Sequence, residues 1–286
     1  MKFCESCNFD PLVITEDQLA MATAHFALGH TVNSVGPYLS ALQHLYNEAG
    51  AGSLPRGPGF LNCVRGLRRL FGPADVVVRT KALSLPDIHS IAASLDLSDP
   101  DDVCFGAEII LAFFLALRTE DHTAGRLRWG DIYPQPDGSV EFLLPPGKVV
   151  KTFRKVALVA RPDILDPLLW LRRLARCLPA SRRGSSYPVF VSFSTSTGGH
   201  CNYWALSRGA FIARLKRSVH AVLGYDPQLF AGYSLRRGGV TALVTADVPL
   251  PAVKRHVGWT PNSNAFYGYY DHDSSFQLRL PSALLR

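Results

Sequence analysis

The sequence predicts a mainly α-helical protein with a small antiparallel β-sheet, divided into two domains. Three observations predict this class. Apolar residues recur at helical spacing along most of the chain, two central segments alternate with period two, and a length of 286 residues suits two domains. Hydrophobic residues make up 47% of the chain and charged residues 19%, so we expect a globular protein with a buried core.

The first domain, residues 1–77, is predicted to be helical. A helix is expected from Asn33 to Ala49, where Gly50 ends the pattern, and another from about Phe60 to Phe71. A Gly-Pro pair and an extended segment follow, and they place the domain boundary near residue 78.

Positive side chains cluster at the end of this domain. Some lie beside the apolar stripe of the second helix, and two more follow it. The residues concerned are Arg65, Arg68, Arg69, Arg79 and Lys81. They form either an ordinary solvated surface or a basic strip that contacts DNA phosphates, and the two cations after the helix favour the strip.

The second domain, residues 78–286, is predicted to hold further helices and the sheet. The segments Ser139–Leu144 and Arg154–Val159 alternate on either side of a stretch that contains Pro and Gly, which predicts an antiparallel pair. Helices are expected at about Pro86–Leu95, Asp101–Arg118, Asp163–Cys177, Tyr203–Leu223, Arg236–Ala246 and Leu250–Val257.

The charge balance favours a polyanionic partner. Lys and Arg number 30 against 23 Asp and Glu, a net charge of +7, and 23 of the 30 cations are arginine. The planar guanidinium group can bind phosphate through two parallel hydrogen bonds, whereas lysine acts as a point charge. The sequence contains no glycine-rich phosphate loop, HExxH motif or metal-binding carboxylate cluster, so no cofactor is expected.

Cysteine usage and hydropathy indicate an intracellular protein. The six cysteines are scattered and follow no signal peptide, so reduced thiols are expected. Cys4 and Cys7 have the spacing of half a zinc site, but no second pair completes it. The longest apolar run, Ile109–Leu117, is about half a membrane span, so it predicts a buried helix.

Five short motifs occur in a fixed order along the chain. They are Leu117-Arg118-Thr-Glu-Asp121, Lys151-Thr-Phe-Arg-Lys-Val-Ala-Leu, Tyr233-Ser-Leu-Arg236-Arg237-Gly238-Gly239, Val253-Lys-Arg-His-Val-Gly258-Trp259 and Ser263-Asn-Ala-Phe-Tyr-Gly-Tyr269. Over roughly residues 30–270 the chain thereby resembles the tyrosine recombinases, and its third motif is similar to that of eukaryotic DIRS-type transposon recombinases. Each motif alone is weak, whereas five in this order are specific.

The resemblance implies a phosphate-binding cradle. Arg118 and Arg236 would bind the scissile phosphate, Asp121 would support Arg118, and the indole N–H of Trp259 would donate to the phosphate. Attack by a phenol places negative charge on the nonbridging oxygens, and two guanidinium groups and an indole can stabilise that charge without a metal.

The resemblance also implies a general acid. Lys151 would protonate the departing 5′ oxygen, which is a poor leaving group without a proton. Lys148 and Lys155 are close enough in sequence to compete for this role, and any of the three can be an ordinary solvated charge.

The nucleophile would be a tyrosine near the end of the chain. Tyr269 is the candidate, with Tyr267 and Tyr270 as rivals, because the spacing from Trp259 is somewhat longer than in phage members of the family. Covalent capture as a phosphotyrosine stores the phosphodiester, so no energy cofactor is required.

One position departs from the family pattern. Tyr233 occupies the place of a common histidine, and a phenol with an ordinary pKa of about 10 is a weak base at neutral pH. Its role is a hydrogen bond, or His256 substitutes for it, although a buried or solvated His256 is the simpler interpretation.

Fold and function follow as expectations from the resemblance. We expect a helical core-binding domain that clamps double-stranded DNA and a catalytic domain with the DNA breaking–rejoining fold. The activity would be site-specific recombination or integration for a mobile element, by tetramers on paired sites, in the nucleus if the source is eukaryotic. The tail Phe276–Leu285 would pack on a neighbouring protomer. The alternatives are an inactive recombinase fold that only binds DNA, or a type IB topoisomerase.

Overall fold

Two units make up the chain. The computed structural model describes residues 6–8, 10–71, 80–146, 152–195 and 201–264. Contacts divide the chain into Met1–Val78 and Arg79–Arg286, and each unit has its own buried clusters.

The first unit is built from helices. They are α1 (Glu16–Gly29), α2 (Val35–Glu48) and α3 (Pro58–Phe71). Thr15 begins α1 through a capping box with Gln18, in which each side chain accepts from the other residue's amide. Leu19, Tyr46 and Phe60 are buried together between these helices. Leu61 follows Phe60 on α3, in the helix predicted at about Phe60 to Phe71, where the apolar pattern predicts its burial; the residue is instead 46% exposed.

The second unit contains further helices and the strands. The helices are α4 (Leu85–Ala93), α5 (Pro100–Phe114), α6 (Thr119–His122), α7 (Pro167–Cys177), α8 (Arg208–Leu223), α9 (Tyr233–Thr245) and α10 (Leu250–Val257). The strands are β1 (Ile132–Pro134), β2 (Val140–Leu144), β3 (Arg154–Leu158), β4 (Val191–Thr195) and β5 (Cys201–Ala205). In the described ranges, no helix is both long and apolar enough to span a membrane.

The strands form two small antiparallel sheets. The first has the order β1-β2-β3, and Phe142 on β2 pairs with Ile132 and Val156 on its neighbours. The predicted class, mainly α with a small antiparallel sheet, is confirmed. The second sheet pairs β4 with β5. It was not predicted, and the helix expected from Tyr203 begins only at Arg208.

Helix α5 is the centre of the second unit. All its residues from Val103 to Phe113 are buried, and it packs against α7 and α9. This stretch includes Glu108, whose Oε1 lies 2.7 Å from Nδ1 of the buried His122 on α6. Burial raises the pKa of Glu108, and the hydrogen bond to His122 opposes that shift. The polar pair therefore ties α6 to α5 within an apolar core.

A glycine pair brings α9 against α5. A Cβ atom at Gly238 would collide with the carbonyl oxygen of Leu83, and one at Gly239 with the carbonyl oxygen of Phe113. Both glycines are buried in the first half of α9. Close approach of backbone to backbone therefore requires them, and it places the residues just before them beside the end of α5.

We predict that Gly238→Ala lowers the free energy of unfolding of the second unit by about 1–3 kcal/mol, because the added methyl group must displace backbone. Tryptophan fluorescence during urea unfolding measures this unit selectively, since all four tryptophans follow residue 78. Gly209→Ala is the matched control, because a Cβ there meets no atom within 4 Å. It should be neutral or stabilise by up to about 1 kcal/mol, as expected for alanine in a helix. Equal effects of the two substitutions would contradict the close approach.

Candidate active site

The turn at the end of α5 positions Arg118. Ala116 has a left-handed backbone, with φ at 47°. Its amide donates to the Phe113 carbonyl at 3.1 Å. The next amide, of Leu117, donates to the Ala112 carbonyl at 2.9 Å. These two bonds form a Schellman motif, which ends a helix and usually has glycine at the left-handed position. Arg118 therefore leaves α5 and becomes the N-cap of α6.

Asp121 orients Arg118. Its carboxylate is buried, and its Oδ2 accepts the Arg118 backbone amide at 3.0 Å. The same oxygen lies 3.9 Å from Nη1 of Arg118, whose side chain remains 18% exposed. The guanidinium group is thus held at the surface of the core by one carboxylate, where an incoming anion can reach it.

Helix α9 carries Arg236 into the interior. The Arg236 side chain is fully buried. Its Nη1 donates to the carbonyl of Ala116, and its Nη2 donates to the carbonyl of Val257 at 2.9 Å. These acceptors are the left-handed residue of the first turn and the last residue of α10. One guanidinium group therefore joins the C-terminal ends of α5 and α10.

A second helix-ending turn positions Trp259. Gly258 is left-handed, with φ at 74°, and its amide donates to the Arg255 carbonyl at 3.2 Å. The Trp259 amide donates to the Lys254 carbonyl at 2.8 Å, which completes a Schellman motif. Trp259 is 8% exposed, and the Arg236 guanidinium carbon lies 5.4 Å from its ring centroid. The cation and the ring are in range of a favourable cation–π contact.

His256 is occupied by the protein itself. Its Nε2 lies 2.8 Å from the carbonyl oxygen of Phe114, so this nitrogen donates and a neutral ring keeps its acceptor at Nδ1. Burial lowers the pKa of His256 below its ordinary value, the contact with Phe114 opposes the shift, and Arg154 and Arg236 add to it. The neutral ring therefore fastens α10 to the end of α5.

Arg154 is a residue of this region that the motifs did not single out. Its Nη1 donates to the His256 carbonyl, and a Cβ at Gly258 would lie 3.2 Å from its Cδ. Burial lowers the pKa of Arg154 to about 10, Asp121 raises it, and Arg118 lowers it. The guanidinium group thus stays cationic at neutral pH, and its pKa depends on the charges of Arg118 and Asp121.

Tyr233 is the first residue of α9 and is half-buried. It precedes Arg236 by three residues, and side chains at this spacing are neighbours on a helix surface. This spacing places Tyr233 on the same face of α9 as Arg236.

Several predicted residues lie outside the described part of the chain. They are Lys148, Lys151, Tyr267, Tyr269, Tyr270, Arg79 and the tail Phe276–Leu285. The roles of Lys151 and Tyr269 therefore stay predictions.

The predicted basic strip is described in part. Arg65, Arg68 and Arg69 are exposed on α3 in the first unit, and Lys81 is exposed in the second. Arg65 donates to the Asn62 side chain at 3.2 Å. The helix thus presents three cations to solvent, and their contact with DNA stays a prediction.

Solved structures with a similar fold are DNA-bound recombinases. The Tn1549 transposon integrase in complex with circular intermediate DNA has 12% sequence identity and a TM-score of 0.60, over 94% of this chain and 85% of that one. A lambda integrase dimer bound to a COC′ core site has 16% identity and a TM-score of 0.54, over 90% and 65%. The XerH site-specific recombinase in a post-cleavage complex with palindromic difH has 17% identity and a TM-score of 0.52, over 72% and 53%.

The likeness defines the fold. No protein-family model matches the sequence, and no curated protein matches it either. The chain spans about half of the XerH chain and just under two thirds of the lambda integrase chain. This chain therefore has the fold of the tyrosine recombinases and integrases.

We predict that His256 makes the stability of the second unit depend on pH. Its pKa is lower in the folded protein than the ordinary 6.5, so below about pH 6.5 the unfolded chain takes up a proton that the folded one does not. Its contribution to the free energy of unfolding is present above that pH and is lost as the pH falls towards the folded pKa.

His256→Gln should reduce this loss, because the amide keeps a donor for Phe114 and does not titrate. Urea midpoints followed by tryptophan fluorescence between about pH 7.5 and about pH 5.5 test the difference between variant and wild type. Comparing the two proteins cancels the contributions of the other titrating groups. Parallel pH profiles would show that His256 titrates alike in the folded and unfolded states.

Proposed function

We propose that this protein is a site-specific DNA recombinase or integrase of a mobile element, which cleaves and rejoins strands through a 3′-phosphotyrosine intermediate. One observation carries the proposal. Arg236 is buried between the ends of α5 and α10 and contacts the Trp259 ring. It also donates to the carbonyl of Ala116, which precedes Arg118 by two residues. Arg236 from α9 thus contacts Trp259 and the turn that leads to Arg118, which supports a shared phosphate site for these three residues.

The described residues suit a phosphodiester in its transition state. Arg118, Arg236 and Trp259 supply N–H donors that are fixed before the substrate arrives, and such fixed donors stabilise developing charge most strongly away from water. Asp121 and the two backbone carbonyls hold the guanidinium groups in place. The donors are therefore ordered when the protein folds, and little further ordering is needed during the reaction.

The remaining steps are assigned to residues of the motifs. The Tyr269 oxygen would attack phosphorus and form a Tyr–O–P bond while the bond from phosphorus to the 5′ oxygen breaks. The phenolic proton would pass to a neighbouring base, and Lys151 would give a proton to the departing 5′ oxygen. Attack by a free 5′ hydroxyl reverses these steps and rejoins a strand. Each step exchanges one phosphodiester linkage for another, so neither ATP nor a redox partner is consumed.

Double-stranded DNA is the proposed partner. The basic strip of Arg65, Arg68, Arg69, Arg79 and Lys81 would contact backbone phosphates, which gives an affinity that falls with salt. The first unit would clamp the duplex as the core-binding domain. The protein would act as a tetramer on paired sites. Its location would be intracellular, and nuclear if the source is eukaryotic. The similarity to DIRS-type recombinases rests on the third motif.

A DNA-binding module without catalysis is the second candidate. Tyr233 favours it, because the residue stands where a histidine is common. In such a module the duplex would bind and no covalent adduct would form, so trapping separates the two candidates.

We predict that the wild-type protein forms a covalent adduct with nicked suicide duplexes and that Tyr269→Phe abolishes it. Because the target is unknown, the duplexes carry a randomised core, and adducts stable to denaturant are isolated and sequenced. Tyr267→Phe and Tyr270→Phe are matched controls that remove a neighbouring hydroxyl and should retain the adduct. Loss with either control and retention with Tyr269→Phe would reassign the nucleophile. Binding without any adduct would favour the module.

We predict that Lys151→Ala lowers the cleavage rate by roughly 10²–10⁴-fold, the range for loss of a general acid. Replacing the departing 5′ oxygen of the selected duplex with sulfur should restore most of that rate, because a thiolate leaves without a proton. Lys148→Ala and Lys155→Ala are the controls, and both should cleave the unmodified duplex at the wild-type rate. Arg118→Gln should stay slow on both duplexes, since its loss affects the nonbridging oxygens and the fold gains little from its exposed guanidinium group. A Lys151→Ala variant that remains slow with sulfur would contradict the assignment.

A further inference from the structure

The C-terminal end of α10 has every one of its last carbonyls occupied. The last four carbonyls of any helix lack partners within it, and buried ones need donors from elsewhere. In α10 these belong to Lys254, Arg255, His256 and Val257. The first two accept from the amides of the Schellman turn, at 2.8 and 3.2 Å.

Arginine side chains supply the other two donors. Arg236 donates to Val257 at 2.9 Å, and Arg154 donates to His256. A cation at this end also interacts favourably with the helix dipole. The residue that follows the turn is Trp259, so two arginines from different elements hold the turn that presents the indole.

Arg154 reaches this turn from the sheet. It is the first residue of β3, which pairs with β2 in the three-stranded sheet. Its aliphatic stem lies across Gly258, where a Cβ would be 3.2 Å from Cδ and 3.3 Å from Nε. The side chain therefore contacts the turn along its length as well as at the guanidinium group.

We propose that Arg154 is a positioning residue of the candidate active site, which anchors the Gly258 turn to the sheet and so fixes Trp259 beside Arg236. This role rests on the proposed function of the site. Arg236 bonds the last carbonyl of α10, and the His256 ring bonds Phe114, so both of these contacts join the turn to helix ends and neither joins it to the sheet. The bond from Arg154 to the His256 carbonyl supplies that link to the sheet.

Charge explains why arginine suits this position. The group lies within range of both Arg118 and Asp121. A cation here offsets the buried Asp121 carboxylate. A neutral side chain of similar length would supply the packing without this effect.

Hydrogen exchange tests the anchor without any need for activity. In Arg154→Gln the amides of Gly258 and Trp259 should exchange about tenfold faster, the factor expected when one hydrogen bond that holds them is lost. Arg154→Lys, which keeps a cation on a similar stem, should restore part of the protection. Arg172→Gln is the matched control, because Arg172 is an exposed arginine of α7 that pairs with the carboxylate of the N-cap residue Asp166 at 3.5 Å, and its loss should leave these amides unchanged. Unchanged exchange in Arg154→Gln would overturn the proposal.

A double-mutant cycle tests whether Arg154 acts through the indole. Cleavage rates are measured at saturating concentrations of the duplex selected by wild-type trapping. Arg154→Gln should slow cleavage about tenfold in wild type but less than about twofold in Trp259→Phe, which lacks the N–H donor. Arg154→Lys should recover part of the rate, and Arg172→Gln should cleave like wild type.

The outcomes separate the two proposals. Equal losses in both backgrounds would show that Arg154 does not act through Trp259, while the nucleophile result stands. If wild type forms no adduct, the proposed function fails, and the exchange of the Trp259 amide still decides whether Arg154 anchors the turn.

Discussion

The second unit depends on one buried guanidinium group. Arg236 is fully buried and donates to the carbonyls of Ala116 and Val257, so it holds together the ends of two helices that are far apart in sequence. Burying a cation is costly unless its donors are satisfied, and carbonyl oxygens at helix C-termini carry the partial negative charge that offsets this cost. The contact therefore stabilises the fold and fixes the guanidinium group that we propose binds the phosphate.

Backbone conformation makes this contact possible. Gly238 and Gly239 let α9 approach α5 closely, which brings Arg236 to the end of α5. Left-handed residues at Ala116 and Gly258 then turn the chain sharply after α5 and after α10. The turn after α5 presents the Ala116 carbonyl to Arg236, and the turn after α10 places Trp259 against the same guanidinium group. The site is thus assembled from helix ends, where unpaired carbonyls are available and where the chain must change direction.

Local signals in the sequence account for the successes and the failures of prediction. The helix Leu250–Val257 was predicted with the observed bounds, because Gly258 marks its end. The helix predicted to run to Arg118 ends at Phe114. Its end was not predicted, because the left-handed residue after it is Ala116 and the sequence offers no glycine there. The β4–β5 pair was missed although Ser207, which caps α8, was a signal for a later helix start.

Arg154 was missed for a different reason. Its hydrogen-bond partner, His256, is 102 residues away, so neither periodicity nor spacing within β3 reveals the contact.

Arg236 and Arg118 differ in how much each contributes to the stability of the fold. Arg236 is needed to join two helices, so a protein that only binds DNA would need it as much as an enzyme would. Arg118 differs. Its side chain is 18% exposed, and the ion pair with Asp121 is long at 3.9 Å, so the fold gains little from the guanidinium group. A partly exposed cation beside one buried carboxylate is accessible to an anion. Substitution of Arg118 therefore tests the proposed phosphate contact with little change in the fold, whereas substitution of Arg236 changes both.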